Sequence, residues 1–323
     1  MTSKLVRLII ALSGCIAAAG TVSAQTYPSR PIQFLVPLAP GSTTDTTARL
    51  LTQQVAQAMG AQFVIENKPG ASTMLASSTV AKASPDGHTL LIGASALTVN
   101  QNLFKSVSYA TEKDFAPISL LVTSPMVLVV NPKLGVKTLA EFRAKYKDSK
   151  DLSFASGGAG TMLHLAGEVL KIRSGIDMRH VPYRGGAPAL TDVIAGHVQL
   201  MFGTPLIAQN IDKGDVVALA VTGPSRLEQL PNVPTFAEAG LDLPEVAGGA
   251  WFGLLAPAGT PKEIIEVLNR HFNAALQNAE VRRKLVELGL VAKGTTPEEF
   301  AQFIRDEIKR WPAVFAKAGI TPQ

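Results

Sequence analysis

A two-lobed α/β fold, each lobe a mainly parallel sheet flanked by helices, is what this chain predicts, and three observations predict it. Its 323 residues exceed the size at which one hydrophobic core keeps growing, so two lobes are the natural arrangement. Apolar runs of strand length alternate with amphipathic runs of helix length, the pattern of parallel sheets with right-handed crossovers. Two isolated apolar segments, Ile118 to Ser124 and Ala218 to Thr222, enclose a second complete alternation. They are expected to carry the chain from one lobe to the other and back, with residues 25–123 and 223–323 in the first lobe and 124–222 in the second.

Residues 1–24 read as a leader. Lys4 and Arg7 form its basic part, Leu8 to Ala19 its apolar part, and Val22-Ser23-Ala24 a small-x-small cleavage site before Gln25. The single cysteine, Cys15, falls inside this leader. Leu12-Ser13-Gly14-Cys15 resembles a bacterial lipoprotein box, which would leave Cys15 lipidated. Cleavage after Ala24 is favoured, because an apolar run ending before Cys15 is short against the usual ~7–15 residues. The mature chain then has no cysteine, which removes disulfides and thiol catalysis together. No later segment offers about 18 unbroken apolar residues, so export without a membrane span is expected. The formal charge is +5 from 30 basic and 25 acidic residues, and removing Lys4 and Arg7 leaves +3. That charge is too small and too scattered for a nucleic-acid partner.

After the extended lead-in Tyr27 to Pro31, the first strand is Ile32 to Pro37. A turn, Pro40-Gly41-Ser42-Thr43-Thr44-Asp45, leads into the amphipathic run Thr46 to Met59. Phe63 to Asn67 is a strand closed by the turn Lys68 to Ala71. A small-residue helix, Met74 to Ala83, stops at the turn Ser84-Pro85-Asp86-Gly87, and His88 to Gly93 is a third strand. Ile118 to Val122 and Met126 to Asn131 are apolar strands broken by Thr123-Ser124-Pro125.

The enclosed alternation runs through helix Leu139 to Tyr146, the strand from Leu152, the helix from Met162, strand Arg179 to Tyr183, helix Pro188 to Ala195 and strand His197 to Phe202. From Gly223 the chain is expected to return to the first lobe. Phe236 to Ala239 reads as a short helix and Trp251 to Ala256 as a strand. Pro261 to Asn278 is a long helix whose Ile264, Leu268, Phe272 and Leu276 share one face. The last helix, Pro297 to Ala316, packs through Phe300, Phe303, Ile304 and Trp311.

Two corners of this chain are built alike. The first strand passes through Gly41, Ser42, Thr43 and Asp45 into a helix; the strand Leu152 to Ala155 passes through Ser156, Gly157, Gly158, Ala159, Gly160 and Thr161 into the helix carrying His164. In each, unpaired backbone N–H groups and the positive end of a helix dipole gather at one place, an anion seat without a fixed charge. Ser42, Thr43 and Asp45 are also the residue types that cap helices. For Asp45 capping is favoured, since a carboxylate in an anion seat repels its guest. For Ser42 and Thr43 the ligand reading is favoured, because the ends of strands in open α/β sheets are where ligands bind. Ser95 and Asn100 are expected to line the same cleft from another strand end. A third corner, Tyr183-Arg184-Gly185-Gly186, is either an ordinary turn or a border of the cleft, with Tyr183 stacking or Arg184 answering a second negative charge.

Other chemistries fare worse. Read from Gly158, the glycine-rich turn gives G-x-G-x-x-Leu163, without the third glycine, and the next strand ends at Tyr183-Arg184 rather than at a ribose-binding acid, which counts against a nucleotide-binding enzyme. His164 and Glu168 share a helix face but lack a third metal ligand, and a histidine that caps its own loop is the favoured reading. No G-x-S-x-G elbow or P-loop exists, and no base stands beside a serine. The chain is therefore expected to bind rather than to catalyse, with no cofactor and no metal.

Taken together, the motifs resemble the tripartite tricarboxylate transporter substrate-binding proteins, the Bug family of periplasmic receptors. The residues that carry the resemblance are Pro40-Gly41-x-x-x-Asp45-x-x-Ala48-Arg49, Asn67-Lys68-Pro69-Gly70-Ala71, Pro85-Asp86-Gly87-x-Thr89-Leu90-Leu91 and Gly160-Thr161-x-x-His164-Leu165-Ala166-Gly167-Glu168. They continue with Val181-Pro182-Tyr183-Arg184-Gly185, Val233-Pro234-Thr235-x-x-Glu238-x-Gly240 and Ala256-Pro257-Ala258-Gly259-Thr260-Pro261. The resemblance implies a hinge-closing, type II-like periplasmic-binding-protein fold and a small organic carboxylate held between loops 41–45 and 156–161. It also implies a membrane permease as partner and a receptor in the periplasm; a sensing role without transport is the alternative, and a monomer is expected. Ser42 stands where the family commonly has a second glycine, and Ser72 and Thr73 replace glycines after Ala71. Side chains at such turns narrow the space and add donors, so the ligand does not carry over from other members.

Overall fold

The computed structural model describes residues 27–183 and 185–322. The expected leader with Cys15 and the candidate Arg184 lie outside the described residues. The first part of the chain forms β1 (Ile32–Val36), α1 (Thr43–Met59), β2 (Phe63–Asn67), α2 (Met74–Ala81), β3 (Thr89–Ala94), α3 (Ala96–Leu103) and β4 (Phe115–Ser124). There follow β5 (Val127–Val130), α4 (Leu139–Tyr146), β6 (Leu152–Ser156), α5 (Met162–Ser174), β7 (Met178–Pro182), α6 (Gly186–Ala195), β8 (Leu200–Gly203) and β9 (Val217–Val221). The chain closes with β10 (Ala250–Pro257), α7 (Lys262–Gln277), α8 (Ala279–Glu287), β11 (Val291–Ala292) and α9 (Pro297–Ala318).

Two sheets result, ordered β11-β4-β10-β3-β1-β2 and β7-β6-β8-β5-β9. The parallel pairing expected of mainly parallel sheets holds for β1 with β2 and β3, and for β6 with β7 and β8. The strands at the crossings are antiparallel to their neighbours, so both sheets are mixed. The cause is directional. β10 enters the first sheet at the end where β4 leaves it, Ala250 beside Ser124, and β5 enters the second where β9 leaves it, Val127 beside Val221.

Local chemistry sets the helix ends. α1 starts at Ser42, whose hydroxyl accepts from the Asp45 N–H, and stops at Gly60 in the left-handed region. α9 starts with a capping box, Thr296 and Glu299 each satisfying the other's backbone, with Pro297 in the first turn where a missing N–H costs nothing. α3 was not legible, since Ala-Leu-Thr-Val-Asn-Gln-Asn-Leu is rich in β-branched and amide residues of modest helix propensity. It is helical because Leu97, Val99 and Leu103 all bury.

Packing corrects the expected return at Gly223. Leu227, Leu230 and Val233 join Val193, Val198 and Met201 on one face of the second sheet, and Phe236, Leu243 and Val246 bury on its other face. The chain re-enters the first sheet only at Ala250. Phe236 to Ala239 makes one hydrogen-bonded turn, Ala239 N–H to Thr235 O at 2.9 Å, ended by Gly240 instead of growing into a helix.

α9 does not belong to one core. Its Phe300 and Ile304 pack with Trp251 and Leu255 of the first sheet, while Trp311, Val314 and Phe315 bury with the second. Where it passes between them, Glu307 is 2% exposed. Arg310 pairs with it at 2.5 Å and the Trp251 indole donates to it at 3.4 Å. Burial raises the Glu307 carboxyl pKa, and Arg310 opposes the rise.

Candidate functional site

A cavity of about 400 Å³ is lined from both sheets: by Leu38, Ser72, Thr73, Ala94, Ser95, Ala96, Val99, Asn100 and Leu103 of the first, by Met126, Ala159 to Leu163 and Thr204 of the second, and by Ser124, Ala250 and Phe252 at the crossings. Its size falls in the range of small-molecule sites. Another cavity of about 420 Å³ lies beside the crossings, between Thr123, Pro125, Thr222, Gly248 and Phe303. No helix begins on its wall, so the first cavity is the candidate site.

Three helices begin at that first cavity, α2 with the lining residue Thr73 in its N-cap position among them. α3 starts at the end of β3 with Ser95 in the N-cap position, and α5 starts at the end of β6 with Thr161 as N-cap. The first N–H groups of a helix have no partner within it, so Ala96 from one side and Met162 and Leu163 from the other bring donors and positive dipole ends to one space. Of the residues singled out in the sequence, the structure gathers Ser95, Asn100, Ala159, Gly160 and Thr161 here. Gly41, Ser42, Thr43, Asp45, Ser156, Gly157, Gly158, His164 and Tyr183 stand outside the lining.

The corner after β1 is occupied with itself. Asp45 accepts from the Gly41 N–H at 2.9 Å, the Arg49 guanidinium at 3.0 Å and the Asn67 amide at 2.9 Å. Burial alone would raise the Asp45 pKa, but bonds from Arg49, Gly41 and Asn67 outweigh it and hold the carboxyl below its ordinary value. Ser42 spends its hydroxyl oxygen on the Asp45 N–H at 3.2 Å. From this stretch only Leu38 reaches the cavity wall. β1 and β3 are parallel neighbours, so their corners lie on one edge of the sheet, and the corner of β3 takes the inner place.

Sequence reading noted Ser72 and Thr73 only as replacements of turn glycines, and they belong to the most unusual part of the wall. Ala71, Ser72 and Thr73 have φ of 46°, 50° and 74°, three successive residues in the left-handed region without a glycine. The Asn100 amide donates to Ser72 O at 2.7 Å across this stretch. Thr73 is 8% exposed, and its hydroxyl has no hydrogen-bond partner among the described residues. Ser95 accepts from the Trp251 N–H at 2.9 Å, leaving its own proton to donate. The signal available beforehand was the replacement of turn glycines by Ser72 and Thr73.

Behind the second corner lies a buried stack of rings. His164 Nδ1 accepts from the Gly160 N–H at 3.1 Å, and its Nε2 faces Glu168 at 3.6 Å. His180 stacks on His164 with centroids 3.9 Å apart and on Phe154 at 4.9 Å, its Nε2 2.7 Å from the Ser156 hydroxyl. His164 thus holds the loop in the way expected of a loop-capping histidine. The His180 pKa is pushed down from 6.5 to about 4, first by burial, then by His164, with Glu168 opposing. A depressed folded-state value means that the unfolded chain binds the proton first, so this contribution is complete above pH ~6.5 and is lost as pH falls toward ~4. Allowing for the partial exposure of His180, urea unfolding should lose up to about 2 kcal/mol across that window, and a His180→Gln variant should lose the slope.

The remaining candidate, Tyr183, donates its hydroxyl to Asp192 at 2.6 Å. Its pKa is pushed up to about 12 by burial and by that carboxylate. Among the described residues no group of three or more His, Cys, Asp or Glu could hold a metal ion, and no helix is long and apolar enough to cross a membrane.

Known proteins agree with this architecture. Residues 47–320 match the family described as tripartite tricarboxylate transporter family receptor. Protein BugT of Bordetella pertussis is 37% identical over 323 residues, covering 98% of both chains. The Rhodopseudomonas palustris protein Rpa4515, solved with adipate, superposes with a TM-score of 0.78 at 33% identity over 92% of this chain and all of that one. MatC from the same organism, solved with bound malate, superposes at 0.73 with 35% identity over 89% of this chain and 99% of that one. With two mixed sheets facing a shared cavity and a family match over most of its length, the chain belongs to the tripartite tricarboxylate transporter receptors, the Bug-type periplasmic solute-binding proteins.

Proposed function

We propose that this chain captures a small organic carboxylate in the cavity between its two sheets and delivers it, in the periplasm, to a membrane permease of a tripartite transport system, acting as a monomer. The observation that carries the reading is the meeting of two helix N-termini, those of α3 and α5, on one wall of uncharged donors. Such a wall stabilises an anion with main-chain and hydroxyl dipoles. Relatives solved with adipate and with malate support the same ligand class.

Binding couples to closure through differential contact. A carboxylate docked on one corner gains the other corner's donors only when the lobes close, and that difference shifts the balance. A thermal-shift panel of carboxylates is expected to contain binders that raise the melting temperature by several degrees at about 100 times Kd, where linkage adds about 2.7 kcal/mol. Calorimetry should show one site and no turnover. Ser95→Ala should weaken that binding about tenfold, the loss of one hydrogen bond to a charged group. Failure of every carboxylate to shift the melt would overturn the reading.

A further inference from the structure

The wall of this cavity also bears on what the rest of the ligand is made of. Among the described residues that line it, none carries a charge. Leu38, Val99 and Leu103 from the first sheet's side and Met126 and Met162 from the second, with Phe252 at the crossing, make most of the wall hydrocarbon from both directions. Several of the polar side chains there are already engaged. Asn100 gives its amide to Ser72 O, Thr161 gives its proton to Gly158 O at 2.8 Å and accepts from the His164 N–H, and Ser95 accepts from the Trp251 N–H.

A single carboxylate accepts about four hydrogen bonds. The Ser95 proton and the N–H groups of Ala96, Met162 and Leu163 at the starts of α3 and α5 come to that number. A hydroxyl, keto or amino group on the body of the ligand would leave water for a wall made mostly of methyl, thioether and phenyl groups, with Ser72, Ser124 and Thr204 its remaining hydroxyls, and a polar group buried without a partner is costly.

Resting on the carboxylate reading above, we propose that the ligand is a carboxylate with an unsubstituted hydrocarbon body, aryl or alkyl, selected against hydroxy-, oxo- and amino-substituted acids of the same skeleton. The selecting surface is the apolar wall, with Met162 and Phe252 contributed from opposite sides of the space. Discrimination comes from desolvation of the extra polar group, which in an apolar pocket amounts to about 10- to 100-fold.

Calorimetry with matched pairs tests this: 3-phenylpropanoate against 3-phenyllactate, and pentanoate against 2-hydroxypentanoate. The unsubstituted member of each binding pair is expected to bind at least 10-fold tighter. Met162→Gln, which keeps the chain length and adds an amide to the wall, should narrow that ratio. Equal or tighter binding of the hydroxylated members overturns the proposal while leaving carboxylate capture standing. If neither pair binds and a wider carboxylate panel also fails, the receptor reading falls and takes this proposal with it; if the wider panel yields only substituted acids, the proposal alone falls.

Discussion

Replacing Thr73 with valine is expected to raise the melting temperature and weaken carboxylate binding at the same time. Thr73 lines the cavity, but its hydroxyl is turned away from solvent without a partner among the described residues, so a ligand meets it only when the side chain turns toward the space. A buried hydroxyl left unsatisfied costs about 1–3 kcal/mol, and valine removes it at nearly the same shape. Both side chains are β-branched, so the strain of φ 74° is the same in either protein. The ligand-free melting temperature should therefore rise by a few degrees, at about 2–4 °C per kcal/mol for a chain of this class. A hydrogen bond to a charged group contributes about 1.5–3 kcal/mol, so affinity for the carboxylate should fall about 10- to 100-fold. Opposite signs in the two measurements separate a ligand-facing hydroxyl from a structural one. A lower melting temperature with unchanged affinity would assign Thr73 to the fold alone.

Gly249→Ala is expected to be among the most damaging single changes in the chain. Gly249 sits at φ +65°, and a Cβ there would lie 2.2 Å from Ser124 O and 2.8 Å from Ser124 C. Both obstacles are backbone, so no rotamer change relieves them. Ser124 ends β4, where the chain leaves the first sheet, and Ala250 begins β10, where it comes back; the two are register partners. The substitution pushes apart the two segments that connect the sheets. Overpacking of this kind costs about 1–3 kcal/mol, and a left-handed conformation adds about 1–2 kcal/mol for a residue with a Cβ. The expected loss is about 3 kcal/mol, read as a lower urea midpoint with an unchanged slope. An unaltered midpoint with altered ligand affinity would mean that the connection yields by swinging, and would make Gly249 a determinant of closure.

Much of the fold was legible because its signals are short-ranged. Strand Phe63–Asn67 and helix Leu139–Tyr146 coincide with the runs read from the sequence, since alternation, helical spacing and turn residues act within a few positions. The division of the chain was less legible. Leu227, Leu230 and Val233 look the same whichever sheet they cover, and only the open face beside Val193 and Met201 assigns them.

The site shows the same limit. Nothing in the sequence joins His164 to His180, because they lie on different elements. The parallel pairing of β6 and β7, with Phe154 opposite His180, sets them in one stack. Ser42 and Ser95 both precede helices, and nothing local tells which corner faces the second sheet. Sequence reasoning therefore favoured Ser42, which the structure leaves outside the cavity lining, over the strained turn at Thr73.

What the amino-acid order supplied unaided was an expected kind of chemistry: no thiol if the leader is cleaved after Ala24, little net charge, and helix starts rich in small and hydroxylated residues, hence the expectation of anion capture by uncharged donors. What only tertiary structure decided was which helix starts meet. Capping and periodicity are settled within a turn or two of chain, whereas the α3 and α5 corners are 66 positions apart, from Ser95 to Thr161. Their meeting follows from how two sheets and a shared last helix bury their apolar faces, a balance taken over the whole molecule.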